Sequence, residues 1–366
     1  MAPVSLYFHI PFCKSRCPYC DFYSTTRLPL REEYAAALAR WLRAAPLAPG
    51  ARVATVYFGG GTPYLLGEGL VRVLEETARR FSLMPEAEIT LEANPGDLEL
   101  PVLRSRREAG FNRISLGLQA GEDGALALLG RRHTAAQSAR AVELCRRAGF
   151  TNLSVDMMLA TPGQDPEKAA ALADWAVSLG PEHISAYLLK IEPGTPFARE
   201  GVGGRCPGPD QAAEIYLAAC RRLEERGYRH YEISNFARPG FESRHNTVYW
   251  ELGEYLGVGS SAASFLEGRR FRVPADLDAF LAGRPWEGLE EEGPGGGLLE
   301  TVMLSLRLAK GLDTRRLPAL GGDPEDFLRR AAPRERTGYL TCRDGVVALT
   351  DRGFLLSNAI ISFLRP

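Results

Sequence analysis

Short apolar runs alternate with amphipathic segments along the first half of the 366-residue chain. The apolar runs are typical of buried β-strands, and the segments between them have the spacing of amphipathic helices. Regular alternation of this kind predicts parallel βα units and therefore an α/β fold. The expected strands cover residues 4–8, 53–58, 89–91, 114–118, 153–158 and 184–189, and the expected helices cover residues 31–44, 69–81, 98–109, 135–148 and 166–178.

Polar or glycine-rich residues stand at the ends of these strands. A single polar residue at a strand end is usually structural and satisfied by a backbone amide. Repetition along successive strands instead favours a shared site, because the carboxyl ends of parallel barrel strands form one rim. The pattern predicts a partial (β/α)6 barrel that is open on one side. The strand-end residues are His9, 59–62, Glu92, Asn94, Gln119, Asp156 and Tyr187.

The second half of the chain is less regular. A helix is expected at residues 210–226 and a seventh strand at 228–234. Two stretches rich in glycine and proline follow the barrel pattern, a loop at 192–209 and a linker at 284–297 whose acidic run is expected to face solvent. A helix at 298–308 and a hairpin with a helix at 339–354 predict a small winged-helix-like α+β module. The expected domains are 1–235 (barrel), 236–297 (connecting segment) and 298–366 (C-terminal module).

Three cysteines follow the first strand with the spacing C-x3-C-x2-C: Cys13, Cys17 and Cys20. Three thiolates can hold three irons of a [4Fe–4S] cluster, which leaves the fourth iron open. The open iron can take the amine and carboxylate of S-adenosylmethionine, and electron transfer can then cleave its C–S bond. The alternatives are weaker, because zinc would need a fourth ligand beyond His9 and a disulfide framework suits short secreted chains.

Composition excludes several classes of function. The net charge is −1, so no nucleic-acid partner is expected. No apolar run is long enough to span a membrane, and no signal peptide precedes the first strand. We therefore expect a cytoplasmic protein with reduced cysteines.

The glycine run at residues 59–61 follows a strand but lacks the lysine of a phosphate-binding loop. Consecutive glycines let the backbone approach a ligand closely, so that its N–H and C=O groups become usable contacts. An amino-acid moiety needs such mixed contacts. A tight turn is the alternative interpretation.

Taken together, these residues resemble the radical SAM superfamily, in particular the branch that contains oxygen-independent coproporphyrinogen III dehydrogenase and the HemW-type haem chaperones. The similarity runs through most of the chain, at residues 7–13, 59–63, 91–96, 115–119, 130–133, Asp156, 162–164, 192–195 and 231–235. It implies a [4Fe–4S] cluster on the three cysteines and S-adenosylmethionine on the rim. The implied contacts are Tyr7, Tyr19, Gly60, Gly61, Thr62, Glu92, Gln119, Arg131, Asp156 and Leu188.

Two features favour the chaperones within this branch. The dehydrogenase carries a further cysteine two residues after the third, where this chain has Phe22, and it has an N-terminal extension ahead of the first strand. The segment 244–250 is similar to the H-N-x-x-Y-W signature of the chaperones. His245 is therefore a candidate axial ligand of haem, with Tyr249 and Trp250 covering the macrocycle. Alternatively, this segment only packs against the open side of the barrel.

Three hypotheses follow from the resemblance. The first is a protein that binds haem and passes it to acceptor proteins, with an acceptor and an electron donor that the sequence does not specify. The second is adenosyl-radical decarboxylation of coproporphyrinogen III to protoporphyrinogen IX. The third is radical methyl or ring-opening chemistry on haem. Phe22 and the signature segment favour the first.

Overall fold

The computed structural model describes residues 2–365, in which the main sheet has twelve strands. Six parallel strands in sequential order form its centre, and each is followed by a helix on the outer face. This confirms the partial (β/α)6 barrel. The strands are β1 (Val4–Ile10), β2 (Arg52–Gly60), β3 (Ser82–Ala93), β4 (Arg113–Gln119), β5 (Asn152–Leu159) and β6 (His183–Leu188). The helices are α1 (Arg31–Arg43), α2 (Gly69–Arg80), α3 (Leu100–Glu108), α4 (Asp123–Leu128), α5 (Ala135–Arg147), α6 (Pro166–Ser178), α7 (Pro196–Arg199) and α8 (Pro209–Glu225).

The hydrophobic core lies between the sheet and these helices. Helix α1 buries residues with the spacing i, i+3, i+4 and i+7, among them Tyr34, Leu38 and Trp41, against the outward side chains of the sheet. Successive residues of a strand point to opposite faces, so Leu6 and Phe8 enter this core. Their neighbours face the interior of the barrel.

The interior of the barrel is polar. Thr55 on β2 donates to Ser5 on β1 at 2.8 Å between the two Oγ atoms. Nearer the carboxyl ends of the strands, Tyr57 on β2 donates its hydroxyl proton to Glu92 on β3 at 2.7 Å. A polar interior leaves hydrogen-bonding groups available to a ligand, whereas a closed barrel fills this space with branched apolar side chains.

Further short strands extend the sheet at both ends. On one side β9 pairs with β1 in parallel, and β10, β11 and β12 follow antiparallel; on the other side β8 and then β7 follow β6. The expected linker at 284–297 therefore contains the edge strand β12. Its acidic residues are exposed and form ion pairs with β11, as Glu291 does with Arg269 at 3.0 Å. The elements are β7 (Arg229–Glu232), β8 (Asn235–Ala237), α9 (Arg244–Trp250), β9 (Tyr255–Val258), β10 (Ala263–Leu266), β11 (Arg269–Arg272), α10 (Leu277–Ala282) and β12 (Glu290–Pro294).

The C-terminal module has its own core and a three-stranded antiparallel sheet in the order β13-β15-β14, as expected for a winged-helix-like unit. It is attached to the free edge of β7. The N–H of Ile233 donates to the carbonyl of Arg307, and the N–H of Ala309 donates to the carbonyl of Tyr231, both at 2.9 Å. The module consists of α11 (Leu298–Ser305), β13 (Leu312–Asp313), α12 (Pro324–Arg336), β14 (Leu340–Arg343), β15 (Val346–Leu349), α13 (Asp351–Leu355) and α14 (Ser357–Phe363).

Among residues 2–365, no helix combines the length and apolar character needed to cross a membrane.

Candidate functional site

The cysteine loop lies directly after β1, at the carboxyl end of the barrel. Its three thiols are free and half-buried. The loop is closed by backbone hydrogen bonds, from the Cys13 N–H to the Thr25 carbonyl at 2.9 Å and from the Thr25 N–H to the Pro11 carbonyl at 2.7 Å. These bonds hold all three cysteines at the rim.

The three thiols lie on one loop, where each can bind a different metal atom. In the described part of the chain, no three His, Cys, Asp or Glu side chains converge on one point where a single ion would sit. A cubane cluster does not require this, because each cysteine binds a different iron. Burial raises the pKa of the Cys13 and Cys20 thiols, so metal binding there releases protons. The donor set therefore fits a [4Fe–4S] cluster.

The glycine loop at the end of β2 packs against this cysteine loop. The Gly61 N–H donates to the Ile10 carbonyl at 2.9 Å, and the Thr62 N–H donates to the Phe12 carbonyl at 2.8 Å. A Cβ on Gly60, whose φ is +113°, would lie 2.7 Å from the His9 ring. A Cβ on Gly61 would lie 2.9 Å from backbone atoms of Pro11 and Phe12. Only glycine permits this contact between the two loops.

Replacing Gly61 with alanine is expected to displace the cysteine loop and lower the iron content after anaerobic reconstitution. The added methyl meets backbone, which cannot rotate away, and overpacking of this kind costs about 1–3 kcal/mol of unfolding free energy. Gly124→Ala is the matched control, since a Cβ there would meet nothing within 4 Å. Equal iron content in the two variants would show that the loops do not depend on each other.

Glu92 is the central carboxylate of the site. It accepts hydrogen bonds from the Tyr57 hydroxyl at 2.7 Å and from the Gly60 N–H at 3.3 Å. Burial, with repulsion from Asp156, raises the pKa of Glu92 to about 7. Glu92 is half-buried and forms no ion pair with any residue in 2–365, so it is a suitable contact for a ligand ammonium group.

Two further expected contacts lie across the barrel from β1. Asp156 on β5 accepts from the Ser115 hydroxyl at 3.4 Å, and burial raises its pKa. Gln119, at the end of β4, has a φ of +68° and a buried Oε1 that accepts no hydrogen bond within residues 2–365. A residue other than glycine with a positive φ has a strained backbone, and such residues are found most often at functional sites. An acceptor without a partner at this rim fits a ligand hydroxyl or ammonium group.

Arg131 connects the rim with the cysteine loop. Its guanidinium group donates to Asn94 Oδ1 at 2.5 Å, to the Gly117 carbonyl at 2.8 Å and to Cys17 Sγ at 3.4 Å. Asn94 in turn donates to Thr62 Oγ1 at 2.8 Å. The cation therefore lies beside a cluster thiol, where both a ligand carboxylate and an anionic cluster would be stabilised.

A cavity of about 380 Å³ brings several of the expected residues together. Tyr7, Gly60 and Glu92 line it together with His9, Phe22 and Tyr249.

Two other expected contacts lie outside this lining. Tyr19 is half-buried beside Phe197, with 6.2 Å between ring centroids, and Leu188 is 37% exposed at the end of β6. Sequence reasoning missed Tyr57 as a contact, although it lies in the strand expected at 53–58, and missed the hydrogen bonds that Asn94 forms, although Asn94 was expected at a strand end. The cofactor contacts of all these residues stay predictions.

The signature segment sends one side chain, that of His245, into the interior of the barrel, while Arg244 is exposed and residues 246–250 are partly exposed. It forms helix α9, and His245 is only 1% exposed. The His245 Nδ1 atom lies 2.6 Å from Thr55 Oγ1, and its Nε2 atom lies 2.7 Å from the Tyr249 hydroxyl. Both ring nitrogens therefore have partners within the protein, and neither is free to bind iron in this structure. Tyr249 reaches the cavity, whereas Trp250 faces the C-terminal module beside Ser305.

A half-open barrel with three cysteines after its first strand, a glycine loop after its second and polar strand ends defines a radical SAM protein. Family models agree: residues 7–176 match the Radical SAM superfamily, and residues 298–356 match the HemN C-terminal domain. The superfamily implies a [4Fe–4S] cluster and S-adenosylmethionine as cofactors.

Similar curated proteins identify the family, within the radical SAM superfamily, to which the chain belongs. The "Heme chaperone HemW" of Mycobacterium tuberculosis is 36% identical, over 99% of this chain and 95% of the relative. The protein of that name from Escherichia coli is 35% identical, over 99% of this chain and 98% of the relative. The chain belongs to the HemW family. Among solved structures, coproporphyrinogen III oxidase (HemN) from Escherichia coli, described as a radical SAM enzyme, matches with a TM-score of 0.85 at 25% identity, over 99% of this chain and 90% of that chain.

Proposed function

We propose that this protein binds haem and passes it to acceptor proteins, with a [4Fe–4S] cluster and S-adenosylmethionine at the barrel rim. Relatives named for haem chaperoning are similar over nearly the whole chain and support this function. The observation that carries it is Phe22, which is 66% exposed and lines the cavity that contains Glu92. An exposed aromatic ring at the cavity mouth suits a flat apolar macrocycle.

The cysteines would hold the cluster, and the rim residues would hold S-adenosylmethionine. Together the two cofactors supply an electron and a cleavable C–S bond. Glu92 would accept the ammonium group, Arg131 would stabilise the carboxylate, and Asp156 would accept ribose hydroxyls. Gly60 and Gly61 would let the backbone approach the methionine moiety.

The rim carries further apolar surface that suits haem. Tyr187 and Leu188, at the end of β6, are 40% and 37% exposed. Together with Phe22 they place large apolar side chains at the carboxyl end of the strands, where ligands of parallel barrels bind. Exposed apolar groups of this size usually mark a binding surface.

Conversion of coproporphyrinogen III is the second candidate, favoured by the likeness to HemN. We prefer haem transfer for two reasons. The relatives named heme chaperone are 35–36% identical, against 25% for HemN. Phe22 also stands where the dehydrogenase has a further cysteine, so this chain lacks that thiol.

We propose a cytoplasmic location, because no disulfide joins any of the seven cysteines, as expected in a reducing compartment. The acceptor would be another protein of that compartment.

Haem titration of the anaerobically reconstituted protein is expected to shift the Soret band and to saturate. Phe22→Ala should weaken haem affinity about tenfold, the scale of one lost aromatic contact. Phe363→Ala is the matched control, because Phe363 is similarly exposed, at 47%, but lies in the C-terminal module. Steady formation of protoporphyrinogen IX from coproporphyrinogen III, with no haem binding, would instead establish the second candidate.

A further inference from the structure

The start of helix α9 is anchored to β3 by a carboxylate. The backbone N–H groups of Arg244 and His245 donate to Glu88 on β3 at 3.2 and 3.0 Å. The Ser243 side chain caps the helix by accepting from the Asn246 N–H. These contacts fix the start of the helix, and with it the His245 side chain, against the interior of the sheet.

The imidazole of His245 forms hydrogen bonds within the protein through both of its nitrogens. It is bonded through its two nitrogens to the hydroxyls of Thr55 and Tyr249. Burial and repulsion from Arg113 lower the pKa of His245 to about 3, so the ring is neutral. A neutral imidazole has one donor and one acceptor nitrogen, and two hydroxyls satisfy both.

The same ring supports the wall of the cofactor cavity. It stacks on Tyr57 with 5.0 Å between centroids and 26° between planes, and it lies 6.3 Å from the Tyr7 ring. Tyr57 holds the Glu92 carboxylate through its hydroxyl. Tyr7, Glu92 and Tyr249 all line the cavity. His245 therefore contacts Tyr57, which bonds the central carboxylate, and Tyr249, which lines the cavity.

The other histidines offer no surface imidazole either. All five histidines of the chain are at most 9% exposed, and each accepts or donates a hydrogen bond inside the protein. They are His9, His133, His183, His230 and His245.

We propose that His245 is a positioning residue for S-adenosylmethionine and not a ligand of haem iron. Through Tyr57 it holds Glu92 where the ammonium group of the cofactor binds, and through Tyr249 it holds a second residue of the cavity wall. The signature segment is thus an internal support of the cofactor site. This inference depends on the radical SAM site and would stand even if haem transfer were not the function.

The test measures two ligands on each variant of the reconstituted full chain: S-adenosylmethionine by equilibrium dialysis and hemin by the Soret band. His245→Ala is expected to weaken S-adenosylmethionine binding about tenfold, as for one lost net hydrogen bond. The position and intensity of the Soret band should stay unchanged. His245→Gln, which can still bond Tyr249, should recover part of the affinity.

Two conservative variants keep the proposal testable if His245→Ala does not fold. Tyr57→Phe and Tyr249→Phe remove single hydroxyls, and each should weaken S-adenosylmethionine binding. Tyr216→Phe is the control, since the Tyr216 hydroxyl also lies 3.3 Å from a histidine, His230, but does not line the cavity.

A Soret band that is lost in His245→Ala would overturn the proposal, as would unchanged cofactor affinity in both tyrosine variants. Absence of haem binding in the unaltered protein would count against the proposed function alone.

Discussion

Replacing Cys13, Cys17 and Cys20 together with alanine is expected to abolish cluster binding. The three thiols lie on one closed loop at the rim, and no other cysteine belongs to that loop. A cluster that loses three of its ligands has no remaining protein anchor, so the loss should be complete rather than partial. Iron and acid-labile sulfide are measured after anaerobic reconstitution.

The remaining half-exposed thiols provide the control. Cys206 and Cys342 are partly accessible and lie in other parts of the chain. A Cys206→Ala/Cys342→Ala variant should reconstitute like the unaltered protein. Retention of the full iron and sulfide content by the triple variant would refute the assignment of the cluster to the loop.

Glu92→Gln is expected to weaken S-adenosylmethionine binding and to remove most of its dependence on pH. The pKa of Glu92 is about 7 without ligand, and only the charged carboxylate attracts an ammonium group. Affinity should therefore fall as the pH is lowered through 7. One linked proton gives a fall of about tenfold per pH unit below the pKa. Dissociation constants measured between pH 7.5 and 5.5 test this.

Glu232→Gln is the matched control for this experiment. Burial also raises the pKa of Glu232 to about 7, but this residue lies on β7, outside the cavity. Its variant should keep the pH dependence of the unaltered protein. If Glu92→Gln keeps that dependence as well, the titrating group at the site is a different one.

Much of the barrel could be predicted because its strands have long apolar runs. The six central strands all overlap their expected positions, although β3 covers twelve residues where three were expected. The first half of β3 contains too few apolar residues to be recognised as a strand from the sequence. Strands β9 to β12 were not expected. Each is short, and β11 reads Arg-Arg-Phe-Arg, whose charges hide the strand pattern.

The site was predictable as a set of strand ends but not as a set of contacts. Glu92 and Gln119 were found because each follows an apolar run, and Asp156 was found because it interrupts one. The bond from Tyr57 to Glu92 depends on the register between β2 and β3, which the sequence does not display. The burial of His245 was also hidden, because the other residues of helix α9 are partly or fully exposed and give the helix no apolar stripe.

The open ends of the twelve-stranded sheet have a consequence for self-association. A strand at the edge of a sheet exposes unpaired N–H and C=O groups to which another chain can add. The β12 edge is short and highly charged, and such edges resist pairing. The β7 edge is covered by residues 307–309, which form backbone hydrogen bonds with it. The C-terminal module thus protects the barrel from aggregation through β7, whatever it contributes to ligand binding.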